Sequence, residues 1–199
     1  MTKLSSRLIW VIFLISVLIM AYSLGSFAAE FSADISITEN KKTTTGKIYA
    51  SNDKFRQEMS GSDGTAVTII RLDKKVMWTL LDDNTYMEIS GEAVMDPSAP
   101  KAPDYEVVNL GSEVVNGYTC DKIQYIYKDK SLGSMIQWVV PDLQYAVRTE
   151  MTDRKGKVTS VIDITNVRPG PQPATLFEIP PGYSKFELPI KLPFGLFGK

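Results

Sequence analysis

The stretch TAVTIIRLDKKVMWTLLDDNTYMEIS, residues Thr65–Ser90, decides the fold class of this chain. It predicts three short strands at Ala66–Leu72, Val76–Leu81 and Thr85–Ile89, because their Val, Ile, Thr, Tyr and Trp residues fit a pleated, half-buried surface. The Asp, Lys and Asn residues between these strands are typical of tight turns. The stretch therefore predicts an antiparallel β-meander.

Both faces of this predicted meander carry apolar residues. Side chains alternate across a strand, so Val76, Trp78 and Leu80 share one face of the middle strand, whereas Met77, Thr79 and Leu81 share the other. An antiparallel sheet with one solvated face shows apolar residues on one side only. We therefore expect cover on both sides, from other elements, a membrane or a ligand.

The composition is that of one globular domain. Of 199 residues, 44% are hydrophobic and 23% charged, and the net charge of −1 gives no reason to expect a nucleic-acid partner. The sequence has no His and one Cys, so the side chains most used for nucleophilic catalysis and transition-metal binding are largely missing. It also has no Gly-x-Ser-x-Gly elbow. We expect no enzymatic activity, cofactor or metal, and a hydrolase is the last-ranked alternative.

Cys120, the single cysteine, has no partner for an internal disulfide. It is interpreted as a small buried apolar residue on a strand, and a reactive or intermolecular thiol is the alternative.

The N-terminus has the layout of a secretory signal peptide. Lys3 and Arg7 precede an apolar run, Leu8–Leu24, and small residues follow at Ser26 and Ala28, which predicts cleavage after Ala28. An uncleaved anchor is the alternative, since the run is only a little shorter than the roughly 20 residues of a spanning helix. No Cys follows the run, so a lipid-modified lipoprotein is not expected. Either interpretation predicts an exported protein, periplasmic if the source is bacterial.

The rest of the chain is predicted to be mainly β. Asn116–Gly117 lies between two apolar segments and is a strong signal for a tight hairpin. Strands that follow one another every 8–12 residues are typical of a sandwich or barrel. The further predicted strands are Phe31–Thr38, Thr44–Ala50, Lys54–Met59, Tyr105–Leu110, Glu113–Val115, Tyr118–Tyr127, Met135–Val140, Ala146–Thr152 and Lys157–Val167.

Three segments interrupt this pattern. Gly91–Asp104 holds three prolines and is predicted to be a lid or a surface linker. Ala174–Ile179 is predicted to make one short helical turn. The tail Lys185–Lys199 alternates apolar residues with prolines between them, so it could be a last edge strand, a plug inserted in a cavity, or a membrane contact.

Several motifs, taken in order, resemble the LolA/LolB-like superfamily of exported proteins, and most closely an uncharacterised branch of it. The similarity runs from about Phe31 to Tyr183. The motifs are Gly46–Tyr49, Lys54–Glu58, Ile69–Trp78, Thr85–Glu88, Asn116–Lys122 and Phe177–Tyr183.

This resemblance implies an incomplete, or half, antiparallel β-barrel with one or two short helices as a lid, after an N-terminal signal helix. Members with known roles carry lipoprotein acyl chains or sense lipoproteins between sheet and lid. The predicted organisation is a signal segment at 1–28, a half-barrel domain at 29–184 and an apolar tail at 185–199.

The expected ligand contacts follow from a curved sheet with two apolar faces. Arginines are candidates for a lipid headgroup, because a guanidinium binds carboxylates and phosphates bidentately. The alternatives are core packing for the apolar set, and surface pairs with Glu58, Glu88 or Glu150 for the arginines. The predicted apolar wall is Phe55, Met77, Trp78, Leu80, Tyr86, Met87, Tyr125 and Trp138, and the predicted polar set is Arg56, Arg71 and Arg148.

The sequence thus predicts an exported cell-envelope protein that binds a lipid or a lipoprotein acyl chain non-covalently, as a carrier, chaperone or sensor. The alternative is a non-enzymatic interaction module that docks on an envelope protein through its apolar tail.

Overall fold

The structure of the chain is a computed structural model, and it describes residues 30–61, 64–90 and 104–186. The predicted signal segment 1–28, most of the predicted loop Gly91–Asp104 and the tail after Phe186 lie outside these residues. Within them the chain forms one open sheet. Its strands are β1 Phe31–Glu39, β2 Lys42–Ser51, β3 Lys54–Gly61, β4 Gly64–Arg71, β5 Val76–Leu80, β6 Thr85–Ser90, β7 Tyr105–Val115, β8 Tyr118–Tyr127, β9 Ser134–Val140, β10 Tyr145–Thr152, β11 Val158–Pro169 and β12 Ser184–Lys185.

Two antiparallel meanders make up this sheet. The strand order is β12-β6-β5-β4-β3-β2-β1-β11-β10-β9-β8-β7, so the pairing of β1 with β11 joins the first meander to the second. Ile35 lies opposite Gly46 on one side and Ile164 on the other. The short β12 returns to the first meander and pairs parallel with β6.

The sheet is strongly curled. Tyr145 on β10 and Phe55 on β3 lie four strand positions apart, which in a flat sheet would separate their backbones by about 19 Å. Their ring centroids are nevertheless 6.3 Å apart, and Tyr145 also packs edge-on against Phe31 at 5.5 Å. The face that carries these rings is therefore concave, and its middle is filled by its own side chains.

Gly46 permits the close approach of β2 and β3 within this curl. It lies opposite Met59, and a Cβ at this position would overlap the backbone carbonyl oxygen of Glu58. Glycine in a strand often marks such a bend.

The two apolar faces predicted for the middle strand are confirmed. Met77 belongs to the concave core together with Phe55, whereas Val76, Trp78 and Leu80 belong to a separate cluster on the outer face. The alternation of side chains along β5 thus supplies a buried residue to each side of the sheet.

β7 differs from the prediction. The two strands expected at Tyr105–Leu110 and Glu113–Val115 are one strand with a bulge, because the register with β8 shifts between Asn109 and Ser112. A bulge inserts a residue without ending the strand, and Gly111 has a positive φ of 91° there.

The expected hairpin turn after β7 is present. Asn116 and Gly117 both have positive φ, 52° and 84°, as a two-residue turn of this type requires.

The predicted fold class is confirmed: the protein is mainly β, and its sheet is a half-barrel that does not close. The helical segments within the described residues are short 3-10 turns at Lys130–Leu132 and Ala174–Phe177, the second inside the predicted turn Ala174–Ile179. Among these residues no helix has the length and apolar character needed to cross a membrane.

Candidate functional site

An aromatic and methionine-rich surface lies at the β7–β10 end of the concave face. Cross-strand register places its members on one face: Val107 lies opposite Tyr125, Tyr125 opposite Met135, and Met135 opposite Met151. Met151 is two residues from Thr149, which shares its face with Ile162 of the concave core. We call this surface the tyrosine–methionine patch, and it comprises Tyr105, Val107, Ile123, Tyr125, Tyr127, Met135 and Met151.

The patch combines buried and exposed members. The ring centroid of Tyr105 lies 5.3 Å from that of Tyr125 and 6.4 Å from that of Tyr127, both edge-on. Tyr125, Tyr127 and Met135 are buried, whereas Tyr105 and Val107 remain 38% and 56% exposed. Large, rigid aromatic rings next to adaptable thioethers make a surface suited to apolar groups.

The buried phenol groups of Tyr125 and Tyr127 carry no charge at neutral pH. Burial raises the pKa of Tyr125 and Tyr127 above the ordinary value for tyrosine, and the neighbouring Tyr105 adds to the rise. The patch is therefore an uncharged surface, which favours apolar ligands over ionic ones.

The outer face of the first meander has a different cover, which is residues 174–186 of the chain, called here the C-terminal segment. Phe177 is 1% exposed and packs in one cluster with Ile69, Trp78 and Leu80. The segment ends on the sheet edge, where the backbone N–H of Phe186 donates to the carbonyl of Tyr86 at 2.8 Å. The expected cover of this face is therefore supplied by the chain itself.

Two arginines hold this segment by its backbone. Arg56 donates to the carbonyl of Leu176 at 3.0 Å, and the buried Arg71 donates to the carbonyl of Phe177 at 3.2 Å. Arg71 also forms a bidentate pair with Asp73 at 2.7–2.8 Å and an ion pair with Glu178. Such charge-assisted bonds fix both partners in position.

The ion pairs of Arg71 lower the pKa values of the Asp73 and Glu178 carboxyl groups. The bonds from Arg71 hold the pKa of Asp73 below its ordinary value. Burial raises the pKa of Glu178, but the bonds from Arg71 and Lys74 outweigh it and the pKa is lowered.

The eight predicted wall residues do not form one wall. Phe55 and Met77 lie in the concave core, and Met87, opposite Thr79, shares that face. Tyr125 belongs to the tyrosine–methionine patch. Trp138 belongs to the same buried cluster as Phe55 and Met77, although charged side chains lie beside its ring. The remaining members, Trp78, Leu80 and Tyr86, contact the C-terminal segment in the outer cluster.

Trp138 is held by polar partners. Its indole N–H donates to Glu113 at 2.9 Å, and its ring lies 4.9 Å from the Lys122 ammonium and 5.7 Å from the Arg148 guanidinium. This arrangement is a cross-strand cation–π stack that stabilises the second meander.

The three predicted headgroup ligands are engaged in ion pairs on the outer face. Arg56 binds Glu58 at 2.7 Å, and Arg148 binds Glu150 at 2.7 Å and Asp163 at 2.9 Å. Pairs with Glu58 and Glu150 were the predicted alternative for these arginines, and these two pairs are observed. Their role towards a ligand stays a prediction.

The sequence interpretation missed most of the tyrosine–methionine patch. Of its members only Tyr125 was among the predicted wall residues. The signal was present as alternation: Tyr105 and Val107 on one strand, and Ile123, Tyr125 and Tyr127 on the next.

A cavity of about 470 Å³ opens on the outer face near the junction of the meanders. Seven of its nine lining residues carry a hydroxyl or a charged group. The cavity is therefore unlike the predominantly hydrophobic space expected for an acyl chain. It is lined by Asp34, Ile35, Ser36, Thr45, Gly46, Lys47, Glu58, Ser60 and Thr165.

Cys120 is buried, as interpreted from the sequence, and burial raises the pKa of its thiol. Its Sγ lies 3.4 Å from the carbonyl of Tyr118. In the part of the chain that the structure describes, no group of three or more Cys, Asp or Glu residues is arranged to hold a metal ion.

This geometry defines a class of protein: an open, curled antiparallel sheet of the LolA/LolB-like type, with its outer face partly covered by the C-terminal segment. The family model of a domain of unknown function, DUF4412, matches residues 31–144. The chain belongs to that family.

Comparison with solved structures confirms the fold. An uncharacterized conserved protein from Thermus thermophilus is 16% identical with a TM-score of 0.61, and the match covers 80% of this chain and 90% of that one. MucB in the Pseudomonas aeruginosa MucA/MucB complex, which has a LolA-like fold, is 16% identical with a TM-score of 0.55. That match covers 80% of this chain but only 58% of the other.

A LolA superfamily protein from Nitrosomonas europaea also matches, at 10% identity over 75% of this chain and 90% of that one, with a TM-score of 0.36. No curated protein matches the chain. The match to MucB, with its LolA-like fold and TM-score of 0.55, confirms the resemblance of the sequence motifs as a resemblance of fold.

Proposed function

We propose that this chain is an exported, non-enzymatic protein of the cell envelope that binds a lipid or a lipoprotein acyl chain. The ligand lies against the tyrosine–methionine patch at the open end of the concave face. The observation that carries the proposal is that apolar surface stays exposed at this end, at Tyr105 and Val107, next to a concave core that is filled elsewhere.

The energetics suit such a ligand. Each buried methylene contributes about 0.8 kcal/mol, so a chain of several methylenes binds without a dedicated polar group. Tyr125, which the sequence analysis assigned to the apolar wall, lies in the centre of the patch between Val107 and Met135. The LolA-like fold supports the proposal as an analogy of architecture, because fold alone does not determine function.

A matched pair of variants on β7 tests the proposal. Val107 belongs to the patch, whereas Val114 lies beyond the bulge opposite Thr119 and is 70% exposed. Both valines are exposed, so replacing either with Asp has a small effect on folding. Uptake of a fluorescent fatty acid is measured for Val107→Asp, Val114→Asp and the parent protein.

We expect Val107→Asp to weaken uptake at least tenfold, since one lost valine contact of about 1.5 kcal/mol already corresponds to a factor of ten. Val114→Asp should bind like the parent. Equal affinities of the two variants would refute the assignment to the patch, and absence of fatty-acid uptake by the parent would refute lipid binding. Mass spectrometry of protein purified gently from its native envelope then identifies the bound lipid.

A further inference from the structure

The two edges of the sheet differ in how they are covered. β6 at one edge is paired with the chain's own β12, where the N–H of Ser184 donates to the carbonyl of Asn84 at 3.0 Å. β7 at the other edge pairs only with β8 among the residues that the structure describes. An unpaired edge presents a row of backbone N–H and C=O groups that can bind another strand.

Apolar side chains are concentrated on this free edge. Of the eight large hydrophobic residues that are exposed in the described parts of the chain, four lie on β7. Exposed apolar residues clustered on one element mark an interaction site more often than scattered ones do. These four residues are Tyr105, Val107, Leu110 and Val114.

The bulge divides the edge into two stretches. The side chain of Asn109 accepts a hydrogen bond from the N–H of Gly111 at 2.8 Å, and the ladder with β8 resumes only at Ser112. Tyr105–Asn109 is the longer regular stretch and keeps an unbroken register with β8. A partner strand of about five residues fits it, which is an ordinary strand length.

The charge around β7 determines which partner fits. Asp104 is bound to Lys128 at 3.2 Å and Glu113 to Lys122 at 2.9 Å, so these two lysines are already paired. Glu106 lies within the regular stretch, and no ion pair of its side chain is observed among the described residues. The edge is therefore apolar and acidic, and it complements a strand that carries lysine or arginine.

The same charge disfavours a second copy of the chain. In antiparallel self-pairing centred on Val107, Glu106 of one copy lies opposite Val108 of the other, and the two Glu106 side chains become diagonal neighbours on one face. Like charges so placed destabilise a strand pair.

We propose that the free edge of β7 at Tyr105–Asn109 binds an extended segment of another protein in which apolar residues alternate with lysine or arginine. The segment joins the sheet as a further strand, with backbone hydrogen bonds supplying affinity and Glu106 selecting basic residues. This is a protein-binding role beyond the proposed binding of lipid. It rests on the backbone edge of β7 and on Glu106, although Tyr105 and Val107 also belong to the tyrosine–methionine patch.

The experiment uses a fluorescein-labelled nine-residue peptide of alternating valine and lysine, and a matched peptide of alternating valine and glutamate. Anisotropy with the full chain should show binding of the lysine peptide and at least tenfold weaker binding of the glutamate peptide. Glu106→Lys should weaken binding of the lysine peptide about fivefold, since it turns an exposed attraction into a repulsion. Asp142→Lys makes the same change of charge in the exposed β9–β10 turn. It should change the affinity for the lysine peptide only by the small effect of the altered net charge.

Hydrogen exchange locates the bound peptide. We expect hydrogen exchange to slow at the backbone amides of Tyr105–Asn109, because those that point away from β8 gain hydrogen-bond partners on the peptide. Equal binding of the two peptides, equal weakening by the two variants, or protection that excludes β7 would each overturn the proposal. Self-association of the chain through β7, detected by sedimentation without peptide, would overturn it in favour of a second copy. Fatty-acid uptake by Glu106→Lys should match the parent, so failure here is distinguishable from failure of the lipid proposal.

Discussion

The side chain of Asn116 connects the β7–β8 hairpin to the rest of the sheet. Its amide N–H groups donate to the carbonyls of Val147 at 3.2 Å and Ile164 at 3.0 Å, with Asp163 at 3.4 Å as a third acceptor. Val147 falls where the register of β10 with β9 shifts, at the step between Ala146 and Arg148. The Asn116 amide thus donates to the Val147 carbonyl at the point where the register shift interrupts the ladder of β10 with β9.

Replacing Asn116 with Gly removes the side-chain hydrogen bonds and leaves the turn unchanged. Glycine keeps the positive φ that the turn requires, and only the side-chain bonds are lost. The amide has two N–H donors, each contributing about 0.5–1.5 kcal/mol net, so we expect the free energy of unfolding to fall by about 2 kcal/mol. Urea denaturation gives this difference from the midpoint and slope.

A control corrects for the backbone effect of glycine. Asn40 also has a positive φ, 47°, in the β1–β2 turn, and no side-chain bond to another strand is observed for it among the described residues. Asn40→Gly should therefore change the free energy of unfolding by no more than about 0.5 kcal/mol, as surface substitutions usually do. If Asn116→Gly is no more destabilising than Asn40→Gly, the amide does not anchor the hairpin and the reasoning is refuted.

Asn116→Asp adds a pH signature to the same test. Its carboxylate would face the oxygens of Val147, Ile164 and Asp163, so its pKa in the folded state should lie above its value in the unfolded chain. An acid with a raised folded-state pKa destabilises the fold as it ionises. The deficit of this variant relative to the parent should therefore be small below pH 4 and grow as the pH rises towards neutrality.

Two further predictions concern the C-terminal segment. Phe177→Ala should lower the free energy of unfolding by about 3–5 kcal/mol in urea denaturation, because it empties a fully buried site; the exposed Phe186→Ala should cost less than about 1 kcal/mol, and equal effects would contradict the packing described. The pKa values of Asp73 and Glu178 are lowered in the folded chain. The two carboxylates therefore stabilise the fold fully above the pKa values of the unfolded chain, which lie near pH 4. This stabilisation is lost as the pH falls through the pKa values of the folded chain. Urea denaturation at pH 7 and 3.5 should show a smaller pH dependence for Arg71→Met than for the parent, and an unchanged dependence would exclude Arg71 as the cause.

Local patterns in the sequence predicted the elements of this fold well. Strict alternation in Phe31–Thr38 identified β1, and Asn116–Gly117 identified the β7–β8 turn, because both signals depend on neighbouring residues alone. The bulge in β7 was missed because the interruption at Leu110–Gly111 looks the same as the end of a strand. Only pairing with β8 distinguishes the two.

The candidate site was harder to predict, because alternation assigns residues to two faces but does not say how the sheet curls. Trp78 and Met77 are neighbours in the sequence, and both were predicted to line the apolar wall. Trp78 faces the C-terminal segment, whereas Met77 faces the concave core. The contact of Tyr145 with Phe55 depends on curvature summed over four strand positions. No local motif encodes it.

The distribution of covered and open surface argues for function at one end of the molecule. The outer face of the first meander is partly covered by the segment that carries Phe177, and β12 pairs with the first two residues of the edge strand β6. The middle of the concave face is filled by its own core. Exposed apolar surface at β7 coincides with a backbone edge that no other described strand covers, so a ligand on the patch and a strand on the edge would be neighbours. Binding of one would then alter the affinity for the other, and the coupling would be equal in both directions.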